Sequence, residues 1–172
     1  FSAGLILIAA ARTVFMIAVY LIFERISGSM RHASLAALIC AAAPTFLFFS
    51  AQFSYESLAV PLAMVAVFLV VRRQSAVDLH EQGRWGALLV LVGTAIACTH
   101  HLTSYALLAF LLAVCIVTSI VEDRRHAPWL ATGVLAVITL AVLVLVASQT
   151  VGYLSPVLAD AFRSIERTLS RE

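Results

Sequence analysis

Residues 84–101, RWGALLVLVGTAIACTHH, hold the pattern that decides the fold: an apolar run with Arg84 at one end and His100-His101 at the other. Outward from it, every strongly apolar stretch ends in a polar break, and the breaks alternate in kind. Glu24-Arg25 to Arg31-His32, Arg72-Arg73 to Arg84, and Glu122-Asp123-Arg124-Arg125-His126 carry seven of the eleven Arg residues. The breaks between them, Gln52-Phe53-Ser54-Tyr55-Glu56-Ser57 and Thr99-His100-His101-Leu102-Thr103-Ser104-Tyr105, contain no Arg. If the intervening stretches all cross a bilayer, the Arg-rich loops share one side, and the positive-inside bias makes that side cytoplasmic.

Composition supports crossing. The chain is 63% hydrophobic and 12% charged, with mean hydropathy +1.05, whereas soluble domains carry about 25% charged residues. The expectation is an all-α, polytopic transmembrane helix bundle. A bilayer core needs roughly 20 helical residues, which places spans near 2–23, 34–50, 53–71, 86–99, 105–121 and 129–147. The fourth is about 14 residues long and is expected to stop short of the far interface, leaving the histidine turn recessed. Trp85 and Trp129 fall at cytoplasmic ends and Tyr55, Tyr105 and Tyr153 at outer ends, as in an aromatic belt. Pro61 removes a helical hydrogen bond to Ser57, so the outer half of the third helix is expected to bend.

After Ser148, Val151, Leu154, Leu158, Phe162, Ile165 and Leu169 recur at three- and four-residue steps opposite Asp160, Arg163, Glu166, Arg167 and Arg171. Residues 148–172 therefore form an amphipathic helix, lying on lipid or covering a site. A formal charge of +2 is too small an excess to suggest a nucleic-acid partner. Cys40, Cys98 and Cys115 lie in or beside apolar stretches, as packed small hydrophobes rather than a disulfide framework. The start at Phe1 inside an apolar run, without a signal peptide, reads as a fragment of a longer protein.

Four residues stand out chemically. Arg12 interrupts an apolar helix at a cost on the order of 3 kcal/mol near the bilayer centre. It either pairs with Glu56, snorkels to the interface, or offers its planar fork of donors to phosphate. Glu56, at the outer end of the third helix, lines a cavity or pairs with Arg12. His100 and His101 diverge by about 100° on a helix and cannot address one ligand without a local break. They are either interfacial histidines or a site for an anion or a proton. Cys98 and His101 at i, i+3 fall short of a zinc ligand set, so no metal site is expected. Phosphate loops, nucleophile elbows and paired intramembrane carboxylates are all missing.

The runs Ala10-Ala11-Arg12-Thr13-Val14-Phe15 to Glu24-Arg25, Ala41-Ala42-Ala43-Pro44-Thr45-Phe46 and Phe53-Ser54-Tyr55-Glu56-Ser57-Leu58-Ala59 resemble the core of the GT-C glycosyltransferases. The similarity is to the protein O-mannosyltransferase and aminoarabinose-transferase type, and it covers most of residues 8–121. The resemblance implies an integral protein of a bacterial or archaeal cell membrane. It implies a polyprenyl-phosphate-linked sugar donor and transfer to a glycan, lipid or protein acceptor on the extracytoplasmic face. Arg12 and His100 or His101 would neutralise donor phosphate, and Glu56 would orient them or contact sugar. The catalytic base would lie in an outer loop upstream of Phe1, through which a divalent cation would also enter; no other cofactor is evident. Relatives place Lys or Arg in the turn held here by histidines. A transporter using Arg12, Glu56 and the histidines as an ion or substrate pathway is the alternative, and a purely structural subunit is a third.

Overall fold

The computed structural model describes residues 2–44, 55–121 and 128–145, together with 160 and 163. Its elements among the described residues are all helical: α1 Ser2–Ser27, α2 Met30–Ala42, α3 Tyr55–Ser75, α4 Leu79–Thr99, α5 His101–Val121 and α6 Trp129–Leu145. The protein is thus all-α, and each of the six expected regions contains a helix. Three helical segments are long and apolar enough to cross a membrane: Ala3–Ser27, Tyr55–Ser75 and His101–Val121. Helices α2 and α6 are apolar but shorter. The chain is a membrane protein on this evidence, with apolar side chains turned outward even where nothing covers them. Leu5, Ile6 and Ile17 of α1 are more than half exposed, as they would be toward lipid.

Two expected connections are shorter than the hydropathy suggests. The Arg72–Arg84 loop is a tight helical hairpin in which α3 runs on to Ser75 and α4 begins at Leu79. Asp78 caps α4 by accepting from the His80 N–H at 3.3 Å, Glu81 follows in the first turn, and Arg72 and Arg73 occupy the last turn of α3. Each charge matches the helix dipole at its terminus. The fourth helix is therefore 21 residues long, its polar first turns preceding the expected 86–99 stretch and its end at Thr99 matching it. The second helix starts early too, at Met30, after Gly28 turns the chain with φ 64° and Ser29 caps α2 through the His32 N–H. Helix α3 continues unbroken through Pro61, which is buried.

The chain divides into two compact units, residues 1–139 and 140–172, the division falling within α6. In the first unit α3 is central, packed against α1 and α4. Helix α1 buries one stripe, Ile8, Phe15, Ala18, Val19 and Ile22, whose spacing of three, four and seven residues marks a single face. Ala66, Leu69 and Val70 of α3, Leu89 and Ile96 of α4, Leu107 and Leu111 of α5, and Ala131 and Leu135 of α6 form the core. Gly93 lets α4 approach α6, since a Cβ there would overlap the Leu135 side chain. Of the cysteines only Cys115 is packed as expected, with Sγ 3.4 Å from Thr132 Oγ1; Cys98 is exposed and Cys40 intermediate, and all three are free. Among the expected amphipathic residues 148–172, only Asp160 and Arg163 lie within the described residues. Both are helical and exposed, and Arg163 donates to Asp160 at 2.8 Å.

Candidate functional site

Side-chain contacts orient the first unit. Arg25 Nε donates to Ser75 Oγ at 3.1 Å, so the C-terminal ends of α1 and α3 meet. Arg72 lies 3.7 Å from Glu81 and 5.1 Å above the Trp85 ring, and Trp85 Nε1 donates to Glu81 at 3.0 Å. Trp129 at the start of α6 donates to Ser119 near the end of α5. One end of the bundle thus gathers Arg25, Arg72, Arg73, Trp85 and Trp129. Glu56 and the histidines lie at the other.

At that other end a single residue joins two helices. His100 closes α4 by donating its N–H to the Ile96 carbonyl at 2.8 Å, and opens α5 by accepting from the Ser104 N–H at 3.3 Å. Its own backbone is extended, with φ −157° and ψ 102°. The expected seven-residue turn is therefore compressed to His100, and α5 starts at His101. This extended residue is the local break that two adjacent histidines need to come together: their ring centroids are 5.9 Å apart, tilted by 33°.

The His100 ring is gripped on both sides. Its Nδ1 hydrogen-bonds Thr103 Oγ1 at 2.8 Å, and its Nε2 stands 3.8 Å from Glu56 Oε1. The second distance exceeds a hydrogen bond but makes an ion pair whenever the ring is protonated. The imidazole is 17% exposed and the carboxylate 40%. His101 lies 5.9 Å from the Tyr105 ring, with its Nε2 shut from solvent. Ser104, 3% exposed, has no hydrogen-bond partner for its hydroxyl among the described residues. It faces a cavity of about 10 Å³ beside Gly93 and Thr139, the smallest space that admits one water.

The structure thus brings together Glu56, His100 and His101. At about 1.5 Å per residue, Arg12 stands roughly 20 Å before Arg25 along α1, and Glu56 roughly 28 Å before Ser75 along α3. Arg12 Nε and Nη2 are closed to solvent. Glu56 takes His100 as its ion-pair partner, where the sequence suggested Arg12. Thr103, one hydroxyl among several in the sequence, is the residue that sequence reasoning did not single out. Its i, i+3 spacing from His100 at the start of α5, which sets neighbouring side chains side by side, is the signal for it.

Chemically, the cluster joins an imidazole to a hydroxyl by a hydrogen bond and sets a carboxylate 3.8 Å from the same ring, so that the imidazoles can meet an anion or take up a proton. Among the described residues no group of three or more His, Cys, Asp or Glu side chains could hold a metal ion. Comparison with protein families, with curated proteins and with solved structures finds no match to this chain.

Proposed function

We propose that this chain is part of an integral membrane glycosyltransferase that uses a polyprenyl-phosphate-linked sugar, with the Glu56–His100–His101 end on the extracytoplasmic side and the Arg-rich end in the cytoplasm. The observation that supports it is the paired imidazoles, one of them held between a carboxylate and a hydroxyl, at the bundle end opposite the Arg residues. In glycosyl transfer the bond from the anomeric carbon to the phosphate oxygen breaks and its electron pair stays on phosphate. The acceptor oxygen bonds to that carbon and gives up its proton. Fixed donors beside the departing phosphate stabilise the new charge in a site screened from water. His100 and His101 act as those donors, Glu56 orients His100 or meets sugar hydroxyls, and Arg12 supports the phosphate from below. The base that accepts the proton is assigned to none of these residues.

Titrating a polyprenyl monophosphate into the chain held in phosphatidylcholine nanodiscs tests this reading. Saturable binding is expected, weakened at least about tenfold by a His100→Ala/His101→Ala double change, with uncharged polyprenol failing to bind. Equal binding to wild type and double variant overturns the phosphate role. Proton flux across proteoliposomes that depends on Glu56 and His100, without phosphate binding, would establish a transport pathway instead.

A further inference from the structure

The Arg end carries a second feature that the site at the opposite end does not use. A groove of about 330 Å³ runs between α4 and the start of α6, with Arg73 of α3 at its edge. Its walls are mostly apolar, including Leu89, Leu130 and Val134, and Gln82 is its other polar side chain. The lining spans Leu79 to Val90 of α4, roughly 16 Å along the helix. That length matches a headgroup, a glycerol backbone and the first acyl methylenes rather than a compact solute.

Neighbouring arginines differ here. Arg72 is taken up by Glu81 and Trp85, whereas the Arg73 side chain has no hydrogen bond or ion pair among the described residues. Arg73 lies beside α4 at Gly86, where even a Cβ would make only an ordinary contact, 3.7 Å from Arg73 Nε. An uncompensated cation at the head of an apolar groove, on the surface of a membrane protein and at the level of Trp85 and Trp129, is complementary to a negatively charged headgroup with two acyl chains. We infer that this groove is a binding site for an anionic phospholipid, with Arg73 on the phosphate and the acyl chains along Leu89 and Val134.

Native mass spectrometry of the chain released from nanodiscs containing equal phosphatidylglycerol and phosphatidylcholine provides the test. One retained phosphatidylglycerol is expected, preferred over phosphatidylcholine by about fivefold, and Arg73→Gln should abolish that preference. Gly86→Leu keeps the charge but fills the groove, and should remove the retained lipid of either kind. Arg84→Gln, an exposed cation that does not line the groove, should change nothing. The His100→Ala/His101→Ala variant should retain the lipid, which separates this site from the one at the opposite end. Equal retention of both lipids, an effect of Arg84→Gln equal to that of Arg73→Gln, or a dimer whose formation displaces the lipid would overturn the inference.

Discussion

The two ends of the bundle use polar residues in opposite ways. At the Arg end, Arg72 and Glu81 are each more than a third exposed, the caps Ser29 and Asp78 face the connections they close, and charge sits at helix termini where the dipole favours it. At the other end the His100 ring is only 17% exposed, and one residue supplies the last bond of α4 and the first of α5. Exposed pairs contribute little because water and salt compete for them. A half-buried imidazole between two partners cannot turn to solvent instead, so its orientation is set by the fold. The first end is built to finish helices, and the second to hold side chains in place.

The largest effect should come from His100→Pro. It removes the N–H bonded to Ile96 and requires φ near −65° where the chain has −157°, a loss of about 3 kcal/mol or more. At the opposite connection Val77, 97% exposed, should accept Ser within about 0.5 kcal/mol. Equal costs in denaturant unfolding of the two variants would erase the contrast between the junctions. Next comes Leu89→Ala in the core between the ends, expected to cost about 2 kcal/mol, at the low end of the range because lipid rather than water is the alternative environment. A loss confined to one end, read by hydrogen exchange, would show that the ends unfold independently.

A functional loss without a structural one follows in size. On the proposed function, Glu56→Gln and the His100→Ala/His101→Ala pair should each lower sugar transfer by the full-length protein at least about tenfold, or roughly 1.4 kcal/mol of transition-state stabilisation. Thermal melting should barely move, because the junction at His100 is made by its backbone. Wild-type transfer rates in these variants would reduce the cluster to packing. Smallest of all, Arg72→Ala should cost under about 1 kcal/mol, and less in high salt. A larger, salt-insensitive cost would make the Arg end as tightly organised as the histidine end.

Particular residues show where reading the chain succeeded and where it stopped. The apolar stretches, the alternation of Arg-rich and Arg-free breaks, and Glu56, His100 and His101 as residues of one end were legible, because hydropathy and charge are properties of short segments. The ends of α2 and α4 were not, since helix extends past the hydrophobic run wherever a cap and a well-placed charge complete it, as at Ser29 and Asp78. Pro61 shows the same limit: its missing hydrogen bond is a local fact, while the helix runs on through it from Tyr55 to Ser75 because of what packs around it.

The all-helical class and the membrane setting follow from sequence alone, for 63% hydrophobic residues in long runs leave few other ways to satisfy the backbone. The partner of Glu56 does not. Local pattern offered Arg12, while the packing of α3 against α4 brings up His100, the residue at which α4 ends. The same packing leaves Arg73 over an apolar groove and gives Arg72 to Trp85, though the two arginines are adjacent in the chain. Pairings of this kind depend on which faces meet across distant segments, a three-dimensional choice that neither periodicity nor composition encodes.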